Sequence, residues 1–196
     1  VISPRPRSNS IVKVSTATHV PLFHGCRSVD CFERLNKIDE GTYGVVFRAR
    51  DKQTGEIVAL KQVKNSSTGE GFSIVALRET NVLLDLAHEN IIGVREMVVG
   101  STNDKVYMVM EYVDHDLKDL MESRGRDLFK QAEVKGLLQQ LLRSVAHMHG
   151  CWYVHRDIKT SNLLLGNDGR LRLCDFGLAR KYGDPIREYS PGSHVI

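Results

Sequence analysis

From residue 31 onward, apolar and polar positions follow two rhythms, and the switch between them divides the chain. In the first half, short runs alternate or stay apolar for a few residues, then break at glycine-containing turns. Residues 31–38 and 43–50 flank Asp-Glu-Gly-Thr-Tyr-Gly at 39–44, which predicts strand, turn, strand. A turn at 54–56 leads into another strand over 57–63. After a loop at 65–71, residues 72–87 place Ile74, Leu77, Asn81 and Leu84 at helical spacing, with Val82 and Leu83 extending the stripe. Residues 90–100 and 105–113 then predict a second strand pair around a turn at 101–104.

The second half is helical in rhythm. Val134, Leu137, Leu138, Leu141, Leu142, Val145 and Met148 form one long amphipathic stripe, with Gly150 as its stop. Short strands over 152–154 and 163–165 bracket a polar loop. Asn167-Asp168-Gly169 turns a hairpin into a last strand over 171–173. The pattern predicts an α+β protein: an antiparallel sheet with one helix, joined near residues 112–116 to a helical half, with a cleft between them.

Composition adds exclusions. The apolar content of 41% and charged content of 26% are those of a globular protein. A net charge of +3 is too small an excess to argue for nucleic acid, so no direct nucleic-acid partner is expected. Apolar runs such as 106–110 are too short to form a membrane-spanning helix, so no membrane partner is expected. Cys26, Cys31, Cys151 and Cys174 form no C-x-x-C pair and read as free thiols. His147, His149 and His155 lack the companions of a zinc site. Residues 1–29 are basic, acid-free and rich in serine and proline, which predicts a disordered leader, its alternative being a mitochondrial transit peptide, ahead of a folded unit starting at residue 30.

The polar loop carries the chemistry. His-Arg-Asp-Ile-Lys-Thr-Ser-Asn at 155–162 offers Asp157 as a carboxylate that can orient a hydroxyl and take its proton. Lys159 offers positive charge to a phosphoryl group, and Asn162 offers a hard oxygen to magnesium. The hairpin returns a second carboxylate, Asp175 of Asp-Phe-Gly at 175–177, to the same place, where it and Asn162 can share a metal ion. Gly41 and Gly44 permit backbone N–H groups to approach an anion, and Lys61 ends an apolar strand where its ammonium needs an anion or water.

In this order, the glycine turn, Val58-Ala59-Leu60-Lys61, a helix bearing Glu79, H-R-D-x-x-x-x-N and D-F-G resemble the protein-kinase signature set. The resemblance implies a kinase-like fold: a five-stranded antiparallel N-lobe with one helix over 30–113, then an incomplete, mainly helical C-lobe over 114–191. It also implies a Lys61–Glu79 ion pair aimed at the nucleotide's phosphates. Residues 25–32, 71–79, 98–122 and 154–165 are most similar to cyclin-dependent kinases of the PITSLRE branch, a similarity that covers about residues 25–191. That similarity implies an ATP-dependent serine/threonine kinase using ATP and Mg2+, acting on protein substrates, in all expectation before proline. It implies that Ile38, Val46, Ala59 and Leu164 enclose the adenine, that Met110 is the gatekeeper, and that Glu111 and Val113 present backbone groups to the base. Gly41, Thr42, Tyr43 and Gly44 cover the phosphates. Asp157 is the implied base, Lys159 the γ-phosphate contact, and Asn162 and Asp175 the metal ligands. Thr42, Tyr43 and Ser190 match regulatory phosphorylation sites, the last to be met by Arg156 and Arg78. A cyclin, of L-type by resemblance, is implied on the helix around 72–84, together with a nuclear location and a second, cytoplasmic one.

The sequence departs from that pattern in places. Asp39 replaces the usual first glycine of the loop, and Ser73, Val75 and Ala76 alter the cyclin-facing helix. After Pro191 the family pattern continues into a substrate-binding loop and an A-P-E segment, whereas residues 192–196 diverge. The resemblance therefore implies a truncated chain of weak or no activity, its alternative being a non-catalytic ATP- and cyclin-binding fragment that competes for a cyclin. The stripe from Val134 to Met148, worth about 1.5–3 kcal/mol per buried side chain, is then expected to lack part of its cover and leave the lower half poorly folded.

Overall fold

Strand β5 (Val106–Glu111) shows how the alternation becomes layers. Tyr107 and Val109 point into one apolar cluster with Phe32, Val58, Leu60 and Val98, while Met108 and Met110 point into another with Ala59, Val82 and Leu83. A strand buried on both faces reads as a continuous apolar run, as 106–110 does. In the computed structural model, which describes residues 25–41, 44–63, 74–100, 105–125 and 129–183, β5 belongs to a five-stranded antiparallel sheet. The other strands are β1 (Phe32–Gly41), β2 (Gly44–Asp51), β3 (Ile57–Val63) and β4 (Val94–Val99), in the order β1-β2-β3-β5-β4. Helix α1 (Ile74–Asp85) lies between β3 and β4 in the chain and buries Val82 and Leu83 in the same cluster as Met108.

Gly44 is held to glycine for a structural reason. Gly44 opens β2 opposite Gly41, and a Cβ there would lie 2.2 Å from the Gln62 carbonyl oxygen of β3. Gly44→Ala is therefore expected to destabilise the sheet by about 1–3 kcal/mol, read as a lower denaturant midpoint. Gly55→Ala, whose Cβ meets nothing within 4 Å, is the comparison that isolates the clash from the strain of a positive φ.

The folded unit begins before residue 30, which corrects the expected leader boundary. Ser28 bridges Val99 in parallel, and the Val99 N–H donates to the Arg27 carbonyl at 3.1 Å. The Arg27 guanidinium donates to Glu96 at 2.6 and 3.1 Å and to Asp51 at 2.7 Å, and lies 4.8 Å over the Phe32 ring. Val29 is buried in the outer cluster. Arg27 finds partners 24 and 69 residues away, so no periodicity announces that it is docked, and only the family resemblance over residues 25–32 reaches it.

The lower half comprises β6 (His115–Asp116), α2 (Leu117–Arg124), α3 (Gln131–Gly150), β7 (Tyr153–Val154), β8 (Leu163–Leu165), β9 (Leu171–Leu173) and β10 (Arg180–Lys181). Strands β6, β8 and β9 form one small sheet, and β7 pairs with β10. Helix α2 has no counterpart in the sequence reading. It is nucleated by Asp116, whose carboxylate accepts from the Lys118 and Asp119 N–H groups at 2.7 and 3.1 Å, and it ends at Gly125 with φ 80°. Its apolar stripe is short, so the cap was the available signal.

Helix α3 divides its stripe. Met148 is fully buried and Leu137 and Leu141 pack on the core, while Val134, Leu138 and Leu142 stay 49%, 51% and 58% exposed. The buried edge faces β7 and β9. The exposed residues step by four along the other edge.

One core runs through both halves, from Val82 and Leu83 through Met148 to Leu171, Leu173 and Phe176. The connector between α1 and β4 is stitched to β9. Leu173 N–H donates to the Asn90 carbonyl and Ile92 N–H to the Leu173 carbonyl, both at 2.9 Å. The Asn90 side-chain amide donates to the Leu171 carbonyl at 2.8 Å and to Gln140 of α3 at 3.0 Å. The hydroxyl of Tyr153 adds a bond to Asp85 at 2.6 Å. These bonds hold the sheet and the polar loop at a fixed distance, with the cleft between them.

Candidate active site

Strand β3 carries Lys61 between Val46 of β2 and Met108 of β5, so its stem is enclosed by apolar strands. Its ammonium meets Glu79 Oε1 of α1 at 2.6 Å, with Lys61 9% and Glu79 4% exposed. Two charges this buried are tolerable only as a pair.

The loop after β7 is built on His155, which is 1% exposed. Its Nδ1 accepts the Asp157 N–H at 3.2 Å, its Nε2 faces the Cys174 carbonyl at 3.0 Å, and its ring stands edge-on to Phe176 at 4.7 Å. These partners require the neutral tautomer with hydrogen on Nε2. Burial pushes the imidazole below its ordinary value. The unfolded chain, titrating near pH 6.5, thus takes up the proton first as pH falls. The His155 contribution to stability should be complete above about pH 6.5 and decline below it, toward the lower folded value, while Asp116, pushed up by burial, acts in the opposite sense. His88, depressed by burial and then by His147, adds to the His155 slope. Asp51 and Asp168, held low by Arg27 and Arg172, act only at still lower pH. Urea unfolding at pH 7.5 and 5.5 checks this, with a smaller pH difference expected for His155→Gln.

Asp157 Oδ2 accepts from Lys159 Nζ at 2.8 Å and Asn162 Nδ2 at 3.0 Å, leaving Oδ1 for an incoming hydroxyl. Asn162 Nδ2 also donates to the Asp157 carbonyl at 2.7 Å. With its amide nitrogen committed twice, Asn162 presents Oδ1 as its ligand atom. The Cys174 N–H donates to the Asn162 carbonyl at 3.0 Å, which places Asp175 beside Asn162. Arg156 and Asp175 both take positive φ, 69° and 60°, so the loop and the strand that follows it both bend sharply here. Arg156 Nε fixes one bend by donating to the Leu178 carbonyl at 2.8 Å. Burial pushes the Cys174 thiol up to about 12, so it stays protonated and inert.

Asp175 Oδ1 is buried and has no hydrogen-bond partner among the described residues. A buried carboxylate oxygen without a donor is costly unless a cation completes it. Asp175 Oδ1 and Asn162 Oδ1 are hard oxygens of the kind that magnesium takes together with phosphates, so the residues present fit that ion.

The roof and floor of the cleft also assemble. Ala59 pairs with Met110 across β3 and β5, and both are 9% exposed. Val46, Val113 and Leu164 pack half-buried on the same cluster. Ile38 does not join them: it lies at a bulge of β1 between Lys37 and Asp39 and is 47% exposed. The Glu111 N–H is spent on the Gly93 carbonyl at 3.1 Å, so the group it can offer a base is its carbonyl. Thr42, Tyr43, Ser190 and the Arg78 side chain lie outside the described residues. His147, grouped with His155 in the sequence reading, instead stacks on His88 at 5.0 Å. The scaffold role of His155 and the Arg172–Glu111 ion pair at 3.0 Å were absent from that reading.

The family model described as "Protein kinase domain" matches residues 32–191. The chain is 57% identical over 171 residues to Cyclin-dependent kinase G-2 of Oryza sativa subsp. indica, covering 87% of this chain and 24% of that one. It is 55% identical over 180 residues to Cyclin-dependent kinase 11A of Homo sapiens, covering 92% of this chain and 23% of the relative. It is 58% identical over 174 residues to Serine/threonine-protein kinase PITSLRE of Drosophila melanogaster, covering 88% and 18%. The chain thus spans a quarter or less of the length of these curated relatives.

Proposed function

From the premise that the chain belongs to the protein kinase family, we propose that it carries the catalytic machinery of an ATP- and Mg2+-dependent serine/threonine kinase of the cyclin-dependent class. The observation that carries the reading is the unpartnered, buried Asp175 oxygen beside Asn162 and the Asp157 loop. When bound, magnesium neutralises charge on the nucleotide's phosphates. Lys61, aimed by Glu79, holds the phosphates from above, and Ala59, Met110, Val46 and Leu164 exclude water around the base. Asp157 Oδ1 orients the substrate hydroxyl and takes its proton, while Lys159 steadies the γ-phosphate.

The names of the relatives support a cyclin as partner, docked on α1, where Leu84 is 62% exposed. An L-type cyclin, a Ser-Pro or Thr-Pro target and a nuclear location complete the reading. Transfer of labelled γ-phosphate from ATP to a Ser-Pro peptide, with magnesium and an L-type cyclin, tests it. Magnesium-dependent labelling supports the proposal. Capture of the cyclin with no labelling, by a preparation that binds ATP, would make the chain a binding module instead.

A further inference from the structure

Behind the cleft, one carboxylate joins three chain segments. Glu111 closes β5, and its Oε2 accepts from Arg172 Nε of β9 at 3.0 Å. Its Oε1 accepts from the Gly93 N–H, in the connector between α1 and β4, at 3.4 Å, and its own N–H returns to the Gly93 carbonyl. The other end of the guanidinium grips the β8–β9 hairpin: Nη2 and Nη1 donate to Asp168 at 3.3 and 3.4 Å, and Nη1 donates to the Arg170 carbonyl at 3.3 Å. The Arg172 side chain is only 13% exposed. The same hairpin holds the segment after β5 a second time, through the Asn167 N–H to Asp114 at 3.1 Å and His115 to Asn167 at 3.1 Å.

We propose that Arg172 is a positioning residue for nucleotide binding: through the Glu111 carboxylate it fixes the end of β5 and residues 112–113 in the orientation that receives the base. The proposal rests on the nucleotide-site reading above. A guanidinium holds two partners in a planar fork, and the cover over Arg172, 13% exposed against 29% for Glu111, reduces screening by salt. While the latch holds, the ordering of the strand end is already complete in the free protein. Without it, the ligand must supply that ordering and binds more weakly. The chemical step is spared, because Asp157, Asn162 and Asp175 are held by His155 and by the Cys174–Asn162 bond, not by Arg172.

Fluorescence titration with a fluorescent ATP analogue and magnesium tests the latch in the parent, Arg172→Met, Arg172→Gln, Arg172→Lys and Asp168→Asn. Arg172→Met and Arg172→Gln should weaken binding about fivefold, the low end of coupling between sites. KM for ATP should rise in step while kcat stays within about twofold. Arg172→Lys, which keeps a positive charge for Glu111 but loses the fork, should restore only part of the affinity, and Asp168→Asn, which leaves Glu111 paired, should bind like the parent. If Arg172→Met does not fold, Arg172→Gln carries the comparison. Parent-like affinity in a folded Arg172→Met or Arg172→Gln protein overturns the proposal, as does a fall in kcat at unchanged KM. A parent that fails to bind the analogue overturns the nucleotide-site reading itself, and with it the latch.

Discussion

Asp157→Asn should lower phosphoryl transfer by about 10²–10⁴-fold, the usual worth of a positioned general base. Nucleotide affinity should stay within about twofold of the parent, because the change removes no phosphate or base contact. The geometry makes this a clean substitution. An asparagine oxygen can still accept from Lys159 and Asn162, which meet Asp157 Oδ2 at 2.8 and 3.0 Å, so the loop keeps its shape. What is lost is the ability to take a proton at Oδ1. Single-turnover transfer measured beside nucleotide binding separates the two effects. Transfer retained at the parent rate would remove Asp157 from its assigned role.

Glu79→Gln should destabilise the protein by about 3–5 kcal/mol. The variant leaves the Lys61 ammonium, in a residue 9% exposed, without its counter-charge in an apolar strand environment. The amide can accept one hydrogen bond but cannot offset the buried charge. Lys61 would also be free to leave the direction of the phosphates, so transfer should fall with stability. Lys61→Met in the same chain should recover part of the lost stability, because the double variant no longer buries an unpaired charge. It should recover none of the transfer. Denaturant unfolding of the two single variants and the double variant gives the coupling. Equal stability of Glu79→Gln and the parent would mean that the pair does not exist in solution.

The pairing of Lys61 with Glu79 came from the family resemblance, whereas the strand that carries Lys61 was legible from its own pattern. Strand β3 matched its sequence reading from Ile57 to Val63 because an apolar run between turn residues has few other solutions. The stripe of α3 was equally plain. The polar loop was legible through order: Asp157, Asn162 and Asp175 lie on the loop and the strand end where their spacing placed them. Features held by long-range partners were not legible. Arg27 is docked by Asp51 and Glu96, and Arg172 by Glu111, across separations that carry no periodic signal. Strands β6 and β10 are two residues each, too short for alternation to show. His155 looked like one of three scattered histidines until its two ring nitrogens were seen to have different backbone partners. Gly44 was expected to serve a phosphate, yet the Gln62 carbonyl already demands a glycine there.

The central claim is that Asp175 and Asn162 complete one magnesium–nucleotide site with Lys61. Calorimetric titration with ATP, with magnesium and then with excess chelator, in the parent and in Asp175→Asn, addresses it most directly. Magnesium should tighten binding in the parent and have little effect in Asp175→Asn, whose amide is a poor replacement for the buried carboxylate oxygen. Equal strengthening by magnesium in both proteins would contradict the claim.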